Sequence, residues 1–506
     1  MPDCLSSDKY APVSVTKRPC ASLLYRGILS STAASDYIST MMSSFISSRL
    51  PRRLTTLAAG LAILTASLPT PLVAAGSGRN LNVVRDAEIE SLIAAYSRPI
   101  FKVAGIDPRR VRIVLVNNPS LNAFVDGKRL FMNTGTIMQA ATPNEVIGVI
   151  AHEAAHLAGG HLHRLRDQAR GAQTMAVIAS ILGAGAAAAG ALSGTGGLAG
   201  VGAGLGAGGV EASRRTLLSY QRSEELTADR AALDYLRKTG QSPRGMLTTF
   251  ERMSRGMGLA GIRSADPYQM SHPLPQDRLQ ALRTLASQSP HFTKTDTPDL
   301  MERHELARAK IAAYTSRSAG RVASRLKSPL ARDYASAMTE LLHGNPRRAL
   351  QKADALVKKR PRYAYFHEVR GDALMRLNRA ADAAAAYGKA RKMDGSNSSV
   401  LASLQGQALI ASGQRDAARQ AITILEAALR NDPETPIGWR FLAQAYGIGG
   451  DIAAAELASA NELFYSGQIR QAKIFAARAQ TKTPRGSPIW LKAQDIVQYK
   501  PIVKER

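Results

Sequence analysis

The chain has 506 residues, a length that suits two or three domains with separate cores rather than one. Its 66 Lys and Arg against 39 Asp and Glu give a formal charge of +27, which favours anionic surroundings: phospholipid or lipopolysaccharide headgroups, acidic proteins or nucleic acid. With 5% aromatic residues and no helix-turn-helix, zinc-finger or RNA-recognition signature, nucleic acid is argued against, and a generally basic solvated surface accounts for the charge.

Arg49, Arg52 and Arg53 precede an uncharged apolar run from Leu54 to Leu68, and Val73-Ala74-Ala75 supplies small residues suited to cleavage before Gly76. Residues 41–75 therefore read as a signal peptide starting at Met41 or Met42, with 1–40 as a gene-model extension. The apolar run is shorter than the ~20 residues that span a bilayer, which weighs against an uncleaved anchor. Cys4 and Cys20 both precede the signal, so the exported chain holds no cysteine; disulfides and cysteine-ligated metals are excluded.

Ala87 to Tyr96 reads as a helix and Val111 to Val116 as a strand. Leu121 to Val125 and Arg129 to Asn133 flank Asp126-Gly127, a pair suited to a two-residue hairpin turn. Thr142-Pro143-Asn144-Glu145 predicts a helix start with a capping box, and Val146, Ile147, Ile150 and Ala151 form a buried stripe leading into His152.

Next comes His152-Glu153-Ala154-Ala155-His156. Residues four apart on a helix project from one face, so both imidazoles can grip one zinc ion, with Glu153 beside them to take a proton from the water that the metal activates. A catalytic zinc site needs a third protein ligand. A metzincin would place histidine at Leu162, so that class fails. His163 lies two turns past His156, about 10 Å along the axis, too far for one metal. His161 is expected to point to another face of the helix. Both read as structural or surface residues.

Residues 171–210 carry no charge and are rich in glycine and alanine; they read as a mobile loop or lid, with a membrane-dipping hairpin as the alternative. In Tyr220 to Asp229, Glu225 and Asp229 lie one turn apart. Glu225 can ligate the metal while Asp229 accepts a hydrogen bond from a ligand imidazole. Alone, the segment would read as a solvated acidic face.

Residues 284–329 read as a helical connector, most regular from Leu300 to Tyr314, and 330–483 as tetratricopeptide repeats with a tail at 484–506. Ala349 and Ala383 are spaced at the 34-residue period. The second unit shows Gly371, Ala383, Tyr387 and Ala390 at signature places, the fourth Trp439, Leu442, Ala443 and Tyr446; the third, around Gly406, carries a few extra residues. Stacked helix pairs form a concave groove that holds peptides or partner proteins.

His152 to His161 (H-E-A-A-H-L-A-G-G-H), E-L-T-A-D at Glu225 to Asp229 and Ser271-His272-Pro273, in this order, resemble the peptidase family that includes the CAAX prenyl proteases and bacterial HtpX. An export signal in front and repeats behind make the likeness strongest to periplasmic members that act in outer-membrane barrel assembly. The resemblance covers roughly residues 80 to 480. It implies an α+β zincin-type metallopeptidase domain over 80–283 followed by an all-α tetratricopeptide solenoid. By it, one Zn2+ per chain is bound by His152, His156 and Glu225, Glu153 is catalytic, and Asp229 supports a ligand histidine from behind. His272 matches a family histidine that can approach the metal as a reversible fourth ligand. Asn122-Ala123-Phe124 matches the edge strand on which an extended substrate adds a strand, against a bland reading as a buried core strand. The implied setting is the periplasm, with misassembled outer-membrane proteins as substrates, the barrel-assembly machinery met through the repeats, and peripheral membrane contact. The rival is an assembly chaperone or scaffold whose protease is mostly shut by His272. Gly160, where the family often has arginine, and Gln221, where serine is common, depart from the pattern.

Overall fold

A computed structural model describes residues 82–500 except 162, 166, 176, 179–195, 260–271, 273–275, 316–319, 321–322, 325 and 415, with the backbone alone at 196–214, 216–217 and 256–259. The extension at 1–40 and the signal at 41–75 lie outside the described residues. The described chain forms an α+β domain and then a helical repeat array.

The sheet has the order β1 (Val83–Val84), β2 (Arg112–Val116), β4 (Arg129–Asn133), β3 (Ala123–Asp126). β2 and β4 run parallel, the outer pairs antiparallel. Alternation sorts the side chains: Leu115, Ala123, Val125, Leu130 and Met132 enter the main core, while Val114, Val116 and Phe131, with Phe124 beside them, pack on the other face. The hairpin pairs Asp126 with Arg129, so the turn is Gly127-Lys128 rather than Asp126-Gly127. Gly127 alone of the two takes a positive φ, 60°, the place a type II′ turn gives to glycine.

Helix α1 (Ala87–Val103) is capped by Asp86, which accepts from the Ile89 amide at 2.9 Å. It runs past the expected end at Tyr96 because Ile100 and Phe101, beyond Pro99, are buried in the core. After the short α2 (Thr134–Gln139), α3 (Pro143–Gly159) begins at the expected proline. The expected capping box does not form: the Thr142 hydroxyl makes no cap. The Glu145 amide donates to the Thr142 carbonyl at 3.2 Å instead, and the Glu145 carboxylate accepts from the Ala141 amide at 3.2 Å and pairs with Arg252 at 2.5 Å. α3 is buried from Pro143 to His156, sandwiched between α1, the sheet and the later helices of the domain.

α4 (Gly196–Lys238) presents Glu225, Ala228, Asp229, Ala232 and Leu236 to the core, a helical stripe that sets the two carboxylates against α3. The loop expected at 171–210 is therefore corrected at both ends. Residues 171–175 and 177–178 are helical, and 196–210 belong to α4, whose packed C-terminal half anchors a glycine-rich stretch that propensity alone disfavours; 179–195 lie outside the described residues. α5 (Arg244–Leu259) packs on α3, and α6 (Gln276–Ser287) packs on α5 and α4.

α7 (Pro298–Thr315), the connector helix, serves two cores: Ala307 and Ile311 enter that of the α+β domain, Leu306, Ala309 and Ala313 that of the first repeat. The helix pairs 329–343/346–359, 364–394, 399–431, 436–465 and 469–498 then stack in sequence. The segment set apart as a tail at 484–506 carries the helix Pro488–Gln498, whose Ala493 and Ile496 bury against Ala472, Ala476 and Ala479 and complete the last pair. The repeats also reach back to the α+β domain. Arg85 and Arg112 meet Asp432 at 2.5 and 2.9 Å, and Lys310 of α7 meets Asp86 at 2.8 Å and Glu368 at 3.1 Å.

Candidate metal centre

His152 and His156 share the buried face of α3, as their spacing requires, with Nε2 atoms 3.0 Å apart. Glu225 arrives from α4: Oε2 lies 3.3 Å from His152 Nε2 and Oε1 lies 3.3 Å from His156 Nε2. His272 completes the group, with Nδ1 at 2.9 Å from Glu225 Oε1 and 3.4 Å from His152 Nε2, and Nε2 at 3.5 Å from Glu153 Oε1. Ligand atoms of His152, His156, Glu225 and His272, all buried, lie within 4.8 Å of one another.

The donor set fits a metal. Two ligands on a tetrahedral zinc with bonds of ~2.0–2.1 Å stand ~3.4 Å apart, close to the separations among His152, His156 and Glu225. The tautomers agree. His152 Nδ1 lies 3.0 Å from Asp229 Oδ1, one helical turn past Glu225, so its proton belongs on Nδ1 and the Nε2 lone pair is turned inward. His156 Nδ1 lies 3.0 Å from His161 Nδ1, which leaves its Nε2 facing the same point. Two imidazole lone pairs and a carboxylate converging in a buried space demand a positive charge. Burial opposes protonation of both rings: His156 is pushed down to about 3, whereas at His152 the hydrogen bonds and charges of Asp229 and Glu225 override it and hold the ring up at about 9, so a cation bound there would displace the proton from Nε2 to expose that lone pair. Glu225, although burial disfavours its charge, is held well below the usual carboxylate range, first by the charge of His272 and then by its contacts to His152, His156 and His272.

Two supports were not legible in the sequence. Arg278 of α6 grips Asp229 with Nε at 2.6 Å and Nη2 at 2.9 Å, and reaches Glu225 Oε2 with Nη1 at 2.9 Å. The only hint was its place six residues after His272. The second corrects the reading of His161 as facing elsewhere. α3 ends at Gly160 in the left-handed conformation, φ 64°, and the chain reverses enough for the buried His161 ring to fold back beside His156. A Cβ at Gly159 would stand 2.2 Å from His161 Nε2, so the ring lies over a glycine. The pair of glycines at 159 and 160, one of them the departure from the family pattern, was the available signal. His163 is exposed and pairs with Asp167 at 3.5 Å, away from the centre.

β3 is the edge strand of the sheet and packs beside α3. Ala123 is buried in the core, Phe124 stacks on Phe131 at 4.6 Å, and Asn122, just before the strand, receives the Asn133 amide on its carbonyl at 2.9 Å.

Residues 84–286 match peptidase family M48, and 334–398 and 404–468 match the tetratricopeptide repeat. The beta-barrel assembly-enhancing protease of Escherichia coli (strain K12) is 26% identical over 391 residues, covering 74% of this chain and 75% of the relative. The protein of that name from Yersinia pestis is 26% identical over 383 residues, with 74% and 75% covered. A putative beta-barrel assembly-enhancing protease of Vibrio cholerae serotype O1 is 31% identical over 201 residues, 39% of this chain and 38% of the relative.

Proposed function

We propose, on the premise that the chain is a metalloprotease with a peptidase family M48 domain ahead of tetratricopeptide repeats, that it is a periplasmic zinc endopeptidase acting on misassembled outer-membrane proteins. The observation that carries the reading is the convergence of His152, His156 and Glu225, at 3.0–3.3 Å, around a buried point beside Glu153. His152, His156 and Glu225 hold the zinc. When bound, the ion supplies Lewis acidity to the scissile carbonyl and acidifies the attacking water. Glu153, next to His152 on a rigid buried helix, takes the proton from that water and delivers it to the leaving amine nitrogen. Between Asn122, whose main chain is bonded to Asn133 and Thr136, and Phe124, the main-chain groups of Ala123 turn away from β4 and align an extended peptide by hydrogen bonds. Asp229 and Arg278 keep the ligands oriented. The substrate class and the contact with barrel-assembly machinery through the repeat groove rest on the names of the relatives and on the repeats.

Metal analysis of the exported chain is expected to find one zinc. Glu153→Gln is expected to keep the metal and the fold while cleaving an unfolded outer-membrane protein about 10²–10⁴-fold more slowly. Absence of zinc, or undiminished cleavage by that variant, rejects the reading.

A second reading, an assembly chaperone or scaffold with a mostly autoinhibited site, is favoured by the position of His272 against Glu225 and Glu153. It holds if Glu153→Gln restores outer-membrane integrity as well as wild type while loss of the repeats does not. Peripheral membrane contact through the uncharged stretch at 171–210 is part of the proposal; among the described residues no helix is long and apolar enough to cross a membrane. Full release by a carbonate wash is expected for such contact, and retention in the membrane rejects it.

A further inference from the structure

The two ligand histidines are supported differently. His152 turns its Nδ1 to the carboxylate of Asp229 at 3.0 Å, a direct acid partner. His156 turns its Nδ1 to another imidazole, His161 Nδ1 at 3.0 Å, and His161 Nε2 lies 3.0 Å from Glu224 Oε2. The hydrogens can be assigned from the ends inward. A metal on His156 Nε2 leaves the proton on Nδ1, which donates to His161 Nδ1; the proton of His161 then sits on Nε2, facing the Glu224 carboxylate. Every donor in the chain meets an acceptor. The outer end is anchored too: Arg164 Nη2 lies 2.8 Å from the same Glu224 oxygen, its Nε donates to the Tyr220 hydroxyl at 3.1 Å, and its Nη1 donates to the Gly159 carbonyl. The backbone is shaped for this contact, because Gly160 is left-handed and Gly159 has no Cβ to collide with the His161 ring.

We propose that His161 and Glu224 are positioning residues for the metal, a two-member relay that fixes the tautomer and ring orientation of His156 as Asp229 does directly for His152. The relay gives consecutive residues of α4 different tasks at one centre: Glu225 touches the metal, Glu224 steadies a ligand from outside. The inference rests on the reading of His152, His156 and Glu225 as zinc ligands.

The experiment is competition between the full-length exported chain and a zinc chelator, with thermal unfolding as the folding check. Loss of a hydrogen-bonding group behind a ligand typically weakens metal affinity ~10–100-fold. His161→Leu is expected to fall in that range. His161→Gln is expected to stay within about threefold of wild type, since its carbonyl can accept from His156 and its amide can donate to Glu224. Glu224→Ala, which leaves the His161 ring in place, is expected to weaken binding about tenfold and keeps the test decisive if His161→Leu does not fold. Wild-type affinity in His161→Leu or in Glu224→Ala overturns the relay, as does a His161→Gln variant that is folded yet as weak as His161→Leu. A wild-type chain that binds no zinc at all fails the metallopeptidase reading instead, so the two failures are distinguishable.

Discussion

Arg278 stands behind Glu225, with Nη1 2.9 Å from Oε2, while the rest of its guanidinium closes on Asp229. One buried cation thus stabilises two buried carboxylates, Glu225 facing both histidines and Asp229 facing His152. Breaking such a buried pair costs about 3–5 kcal/mol, because the partners keep an uncompensated charge. Arg278→Met is expected to lose stability in that range by urea denaturation and to bind zinc more weakly. Arg278→Lys, which keeps the charge without the fork, is expected to recover only part of both. A fully stable Arg278→Met would show that the carboxylates do not depend on it.

His272 lies between Glu225 Oε1 at 2.9 Å and Glu153 Oε1 at 3.5 Å, against the carboxylate proposed to take the proton from the attacking water. Its removal is expected to raise basal proteolysis. His272→Ala should cleave an unfolded outer-membrane protein about tenfold faster, the factor for releasing a contact worth ~1.4 kcal/mol. Slower cleavage would make His272 a required ligand instead of a barrier.

Lys310 is 1% exposed and lies 2.8 Å from Asp86, 3.4 Å from Glu88 and 3.1 Å from Glu368, joining the first peptidase helix, the connector and the second repeat. Burial pushes Glu368 up to about 8, against the pull of Lys310. Lys310→Met is expected to destabilise the chain by about 3–5 kcal/mol at pH 7. The deficit should shrink toward pH 5 as the stranded carboxyls protonate; a deficit that does not change with pH would place its origin in packing.

His304 is fully buried, with Nε2 donating to the Ala140 carbonyl at 3.1 Å and Nδ1 accepting from the Tyr96 hydroxyl at 3.0 Å. Burial pushes it down to about 4. The unfolded chain, with an ordinary histidine near 6.5, therefore binds the extra proton between these values, and stability falls as the pH drops from about 6.5 towards 4. Between pH 6.5 and 5 the loss is about 1.6 kcal/mol, the slope approaching ~1.4 kcal/mol per pH unit only below pH 6. Chemical denaturation across this window is expected to show a shallower slope in His304→Gln than in wild type; equal slopes would assign the acid sensitivity elsewhere.

The histidine pair, Glu153, and the same-face placement of Glu225 and Asp229 were legible in the sequence, because each depends on spacing within one helix, and 3.6 residues per turn decides which side chains share a face. The period of two sorted the strands, and the repeat period placed the helix pairs from 329 onward. Contacts between distant segments were not legible. Its place after His272 does not by itself mark Arg278 as the cation between Glu225 and Asp229, nor does the glycine pair by itself mark His161 as the partner of His156. The Thr142 cap and the Asp126-Gly127 turn also differed from expectation: the Glu145 amide bonds to the Thr142 carbonyl rather than its hydroxyl, and the β3–β4 register moves the turn by one residue. Local geometry is written into spacing. Which polar groups meet out of water is decided by packing, since only in the folded chain does burial make an unpaired charge costly enough to select its partner.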